Sequence, residues 1–396
     1  MNDTIYHDLE LKVFGKKYIT YNLNRLTTSE KSGFAELIDE YGLWGEYANG
    51  NMIFKKNIIS SICRNNLRLV LLKVLDSNNI KKKFVDIIDN VRHDKDYLNA
   101  ILLVLIGNIL NIDLSIDTLI YLLDQKFIDN PAFINNPNIR EIINFGEYKI
   151  NVRSSILSEA LISEFKDGRA IVDLLVNISK KIDRGVTSYK YSEQRFTLRR
   201  IISHTRLQAL LAQTNENSDE LISHYFEKIK NINYCKRNPH FWLQYAITRL
   251  SLKDYRNAKI YFDNAYSFGS QIPQYDTTAV DNHYARYLIE NEIHENNIDT
   301  AMKNFLVAHD ILTDYNNNSL KQYPYRVAIN YRAFYDKFYK RLDNKSQNKF
   351  IECCKDILDR INSYRSEIGS SYALHSDIIK CEQNLTYIFK REKINY

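Results

Sequence analysis

The chain has 396 residues, 44% apolar and 26% charged, proportions ordinary for a soluble globular protein and sufficient for two or three domains. Only 5 Pro and 11 Gly are spread over this length, which excludes a hairpin-rich β fold and makes an all-α fold the expectation. A formal net charge of +6, from 54 basic and 48 acidic residues, is too thin an excess to require a nucleic-acid partner.

In chain order, Thr28-Ser29-Glu30 predicts a helix start, with Phe34, Leu37 and Ile38 on one face and a stop near Gly42. After Gly50 a single helical run carries Ile58, Ile59, Ile62, Leu67, Leu69, Val70 and Leu71. Phe84 to Leu123 is a series of apolar helices interrupted near His93-Asp94 and at Asn111-Ile-Asp113. Its most apolar stretch, Ala100 to Ile112, is broken by Asn108 and falls short of the ~20 residues a membrane helix needs. Residues 130–137, with Pro131 and Pro137, read as a turn-rich break. Ile142-Ile143 and Tyr148-Lys-Ile150-Asn-Val152 alternate as two short strands around Gly146-Glu147, and a helix follows from near Ser154 to Phe165. From Ile171 onward the chain reads as helix and short loop.

A repeat emerges within this last region. Ala258, Phe262 and Ala265 return 43 residues later as Ala301, Phe305 and Ala308, and again after a further 45 as Ser346, Phe350 and Cys353. Small residues flanking an aromatic ring let one helix lie close against its partner while the ring fills the gap to the next pair. A repeat of this period predicts stacked helix pairs, each an A helix followed by a B helix, forming an α-solenoid.

The order of these pieces is similar to a known family. Leu23-Asn-Arg-Leu26-Thr-Thr-Ser-Glu30 through Leu37-Ile38-Asp-Glu40, then Cys63-Arg64-Asn65-Asn-Leu67-Arg68, resembles the helical region after the nucleotide-binding core of STAND-class NTPases of bacterial anti-phage defence. Val152-Arg153-Ser154-Ser-Ile156-Leu157 resembles their winged-helix segment, and the repeats from Asn238-Pro-His-Phe-Trp242 resemble their tetratricopeptide-like sensors. The resemblance implies three regions: residues 1–75 as the segment after an NTPase core, 76–170 as a winged-helix-like domain and 171–396 as tetratricopeptide-like repeats. It implies a regulatory or sensing module that binds a protein ligand or partner subunit, and it is compatible with an oligomer.

Two departures qualify what the resemblance carries over. No G-x-x-x-x-G-K-[ST] loop occurs, so the backbone cradle for phosphates is missing; no cofactor and no ATP turnover are expected, and the chain would be a fragment, a split-gene product or a degenerate relative. Where relatives place an Arg-His pair near the nucleotide, this chain has Arg153-Ser154, which leaves Arg153 as a weak nucleotide contact at most.

Other chemistry is sparse. Arg199 and His204 fit the R-x4-H spacing of HEPN ribonucleases, but neighbouring Arg195 and Arg200 make a solvated basic face the simpler account, and a non-enzymatic protein is expected. A stand-alone helical scaffold without a defence role is the other rival. His294-Glu295 lacks the second His of a zinc-protease helix, and Cys63, Cys235, Cys353, Cys354 and Cys381 form no C-x-x-C pair, so no metal site is expected and the thiols read as reduced. With no signal peptide at Met-Asn-Asp-Thr, a cytoplasmic protein is expected. Trp242 reads as a packing residue rather than a stacking platform. Lys81-Lys82-Lys83 and the run from Lys180 to Arg200 are local basic clusters. For binding, Gln244, Asn282, Arg286, Tyr325 and Arg332 are expected toward the inner side of successive A helices, with arginine and tyrosine favoured at interface hot spots.

Overall fold

The computed structural model describes residues 25–75, 78–124, 131–146, 149–152, 155–185, 193–214, 216–314, 323–368 and 375–394. The described residues are mostly helical, and the one sheet among them has two strands. The chain folds as two compact units, one of Met1–Ile109 with Asp113–Lys166, the other of Leu110–Ile112 with Asp167–Tyr396. The expected boundary between residues 170 and 171 falls inside a helix, Gly168–Gly185, whose start is set by the Asp167 carboxylate accepting from the Ala170 amide at 2.8 Å.

The first unit begins with α1 (Thr28–Glu40), closed at its N-terminus by a reciprocal capping box between Thr27 and Glu30. It stops where Gly42 takes a φ of +63°. The single run expected after Gly50 is in fact two helices, α2 (Met52–Ser61) and α3 (Leu67–Leu75). Arg64 and Asn65 both adopt left-handed backbone between them, which no helix can continue through. Ala35, Ile38, Trp44, Ile58, Ile59, Cys63 and Val70 form their shared core, with the Trp44 indole donating to the Ala35 carbonyl.

Next come α4 (Asn78–Arg92), α5 (Lys95–Leu110) and α6 (Ile116–Leu123), broken at His93-Asp94 and at Asn111-Ile-Asp113 as expected. Residues 100–106 of α5 are buried all round, as in a central core helix. None of the described helices is long and apolar enough to cross a membrane. The tract expected as turns instead winds into two short helices, α7 (Pro131–Ile134) and α8 (Pro137–Ile142). Each starts on proline, whose fixed φ and missing N–H suit the first helical position. The hairpin pairs β1 (Ile143–Phe145) with β2 (Ile150–Val152), antiparallel with Ile143 opposite Val152, and the Ile150 amide donates to the Leu114 carbonyl at 2.8 Å. Then α9 (Ser155–Phe165) packs on α3 and α4.

The second unit contains α10 (Gly168–Gly185), α11 (Glu193–Ile201), α12 (His204–Leu211), α13 (Ser218–Ile229), α14 (Asn233–Lys236), α15 (Pro239–Ser251), α16 (Tyr255–Gly269), α17 (Thr278–Glu295), α18 (Ile298–Thr313), α19 (Tyr323–Ala328), α20 (Tyr331–Phe338), α21 (Asn344–Ile368) and α22 (Ser376–Arg391). Helices α15 and α16 pack as one hairpin, α17 and α18 as the next. Both turns use the same device 43 residues apart. A left-handed residue, Lys253 or Asn296, ends the first helix, and the next side chain, Asp254 or Asn297, caps the second.

Ala258, Phe262, Ala265, Ala301, Phe305 and Ala308 are all fully buried in one continuous core, as the repeat requires. Phe350 and Cys353 join that core, with the Phe305 and Phe350 rings 5.0 Å apart. Trp242 packs among Tyr245, Tyr261 and Phe268 and donates to the Lys236 carbonyl at 3.1 Å, so both its ring and its indole N–H are used inside the fold.

Candidate functional site: a polar wall on the A helices

Helices α12, α15, α17 and α19 carry hydrogen-bonded polar side chains. The Gln244 side-chain oxygen accepts from the His204 amide at 2.9 Å, tying α15 to the start of α12. On α17, Arg286 donates to both carboxylate oxygens of Glu290, at 2.7 and 3.5 Å, which holds the guanidinium fork over the helix. The Tyr323 hydroxyl of α19 lies 2.6 Å from His283 Nδ1, with the two rings 4.6 Å apart. Beside it the Arg326 side chain is 67% exposed and only loosely paired, 3.9 Å from the Asp377 carboxylate.

The imidazoles of His204, His240 and His283 are all held below their ordinary pKa. Burial, then the cations Arg286 and Arg326, push the His283 pKa down to about 3. Burial and Arg199 push His240 down to about 4. His204 is lowered by burial, with Asp219 opposing that shift and Arg286 adding to it. Both His240 and His283 keep part of their surface open to solvent. At neutral pH the His240 and His283 imidazoles are uncharged, and that of His283 spends its Nδ1 on the Tyr323 hydroxyl.

The expected contact residues are only partly brought together. Gln244 and Arg286 stand on the wall, half-buried. Asn282 and Tyr325 do not: they are 5% and 2% exposed, closed to any partner. Asn282 is one residue, about 100° of helix, away from His283 and so points into the core. Tyr325 turns inward, its ring near Tyr364 and its hydroxyl 3.4 Å from the Arg360 carbonyl. Arg332 is half-buried elsewhere, its guanidinium 3.1 Å from the Tyr387 ring centroid and 2.8 Å from Asp336, where it fastens α22 onto α20. Arg153 lies outside the described residues.

Reasoning from sequence missed His240, His283, Tyr323 and Arg326. A signal was present for three of them: positions 240, 283 and 326 are successive 43-residue steps, the same period that relates the buried seams.

The two residues of the R-x4-H pair lie on different helices. Arg199 ends α11, whereas His204 opens α12 with its Nδ1 3.0 Å from the Thr248 hydroxyl and its Nε2 3.5 Å from Ser251. That imidazole is engaged in joining helices. Of the basic clusters, Lys82 is exposed on α4, while residues 186–192 and the side chains of Lys81, Lys83 and Arg195 lie outside the described residues. Arg200 stacks over the exposed Phe196 ring at 4.1 Å. All five cysteines are buried and free, and burial pushes the thiols of Cys353 and Cys381 up to about 12. Among the described residues no group of three or more His, Cys, Asp or Glu could hold a metal ion.

Compared with protein-family models, curated proteins and solved structures, the chain matches none of them.

Proposed function

We propose that the second unit is a tetratricopeptide-like solenoid that recognises a segment of a partner protein along the wall of its A helices. The observation that carries this reading is a set of half-buried polar side chains on successive helices, with Gln244 of α15 tied to α12, His283 of α17 joined to Tyr323 of α19, and Arg286 of α17 held by Glu290. A wall built on rigid helices orders its hydrogen-bonding groups before a partner arrives, which lowers the entropic cost of association. Helices α4 to α6 and α9 around a hairpin bridged to Leu114 support a winged-helix-like reading of the middle region. The sequence resemblance alone supports placing the module as the sensing part of a STAND-like defence assembly.

The test is affinity capture of the proteins encoded beside this chain, with wild type and an Arg286→Ala/Arg326→Ala variant compared. Loss of capture at an unchanged melting temperature is expected. Undiminished capture by the variant removes the wall as the binding surface. Capture abolished instead by charge reversal across Lys180 to Arg200, with a steep salt dependence, makes the partner a nucleic acid. Co-purification with an NTPase subunit tests the defence setting, and the isolated chain is expected to turn over no ATP.

A further inference from the structure

At one end of the second unit three chain segments close on one another. The Tyr335 hydroxyl of α20 donates to Glu392 just past α22, and the Tyr335 ring lies 4.9 Å from that of Tyr339 in the 3-10 turn Tyr339–Arg341. The Gln347 side chain of α21 donates to the Tyr339 carbonyl at 2.9 Å. Residues 331–345 hold five basic and two acidic side chains and residues 387–394 three basic and one acidic, an excess of five positive charges where the whole chain has six. The carboxylates here are spent inside the fold. Asp336 pairs with Arg332 at 2.8 Å, Asp343 accepts from the Ser346 amide at 2.8 Å, and Glu392 takes the Tyr335 hydroxyl. Lys337 and Arg341 are spent as well, on the Ile293 carbonyl and on Asn296 at the end of α17. Lys340, Lys345, Lys390 and Lys393 are left exposed, and their ammonium groups form no hydrogen bond or ion pair among the described residues. Lys259 and Lys349, also exposed, each have a carboxylate instead, Asp263 at 2.9 Å and Glu352 at 3.0 Å.

Among the described residues, none of the exposed large apolar side chains lies in these segments, and the rings of Phe334, Tyr335, Phe338 and Tyr339 are buried. A protein partner finds no exposed aromatic anchor here, and a membrane finds no apolar side chain to take in. What the surface offers is lysine, each ammonium a compact charge with three rotatable donors. We propose that Lys340, Lys345, Lys390 and Lys393 bind the phosphate backbone of a nucleic acid without reading its bases. Contacts of this kind position a protein on a duplex, carry no sequence information, and draw their strength from the counterions that each lysine displaces. The surface shares no residue with the A-helix side chains, so the two partners are held independently.

The experiment titrates a short, labelled DNA duplex of random sequence with the full chain and follows fluorescence anisotropy at several salt concentrations. Four phosphate contacts should lower the affinity about a hundredfold between roughly 50 and 200 mM salt. Lys340→Gln/Lys390→Gln/Lys393→Gln should flatten the slope of log affinity against log salt by about three. Lys259→Gln/Lys349→Gln, which removes exposed lysines that already have carboxylates, should leave the slope unchanged, and melting curves check that each variant is folded. Absence of duplex binding at low salt, or a wild-type slope in the triple variant, overturns the proposal. Displacement of the duplex by polyglutamate at equal charge concentration overturns it in favour of an acidic protein segment. Binding to vesicles containing anionic lipid, with none to the duplex, overturns it in favour of a membrane surface.

Discussion

The seam and the wall of the second unit lie on the same helix pairs and repeat with the same period, yet they constrain residue type in different ways. At the seam, space dictates identity: alanine at 258, 265, 301 and 308 and phenylalanine at 262 and 305, all fully buried. At the wall, the corresponding steps at 240, 283 and 326 carry His, His and Arg. Only position is shared there. Apolar packing fixes the register of the helices, and the polar positions inherit that register while their chemistry stays free to vary.

Substitutions at the seam should therefore cost stability, and those at the wall binding. The largest effect is expected from Phe305→Ala, which opens a cavity against Phe334, Tyr331 and Phe350 and should cost about 3–5 kcal/mol by thermal or denaturant unfolding. Ala301→Trp overpacks the close approach of α18 and should cost roughly 1–3 kcal/mol or more. A melting temperature unchanged by Ala301→Trp would show that the helices do not close there. The cap at the second turn is a smaller contributor: Asn297→Ala removes the acceptor for the Asp299 amide and should cost about 0.5–2 kcal/mol.

The imidazoles of His240 and His283 add a pH signature. His283 is held at about 3 against an ordinary 6.5, and His240 at about 4, so the unfolded chain binds protons that the folded chain refuses. Stability is then fully present above pH 6.5 and is lost progressively as the pH falls toward 3. A His283→Gln variant should show a flatter acid limb in melting temperature against pH; a profile identical to wild type would mean that His283 takes up its proton in the folded state. The smallest stability effects belong to surface arginines. Arg332→Ala loses its stacking on Tyr387 and its ion pair with Asp336, about 1 kcal/mol, and should leave partner capture intact. If Arg332→Ala abolished capture while Arg326→Ala did not, the binding face would have been placed on the wrong side of α20.

Much of the architecture was legible because it is written in local chemistry. Helix breaks at His93-Asp94 and at Asn111-Ile-Asp113, the hairpin around Gly146, and the Ala-Phe-Ala seams all rest on short-range propensity and periodicity. The single run drawn from Gly50 to Leu71 failed because left-handed backbone at Arg64 and Asn65 leaves no apolar signature. Residues 130–137 failed in the opposite sense, since proline that ends one helix also opens the next.

By itself the sequence determined the helical content and the spacing of the buried seams, since both follow from which side chains recur at helical and 43-residue intervals. It could not determine which polar residues face the wall. One step along α17 separates His283, half-open beside Tyr323, from Asn282 in the core, and a difference of about 100° is finer than polarity alone can resolve. Likewise the bonds from the His204 amide to Gln244 and between Tyr323 and His283 belong to no single helix. Each of these contacts joins two helices about forty positions apart, and only the packed tertiary structure decides that.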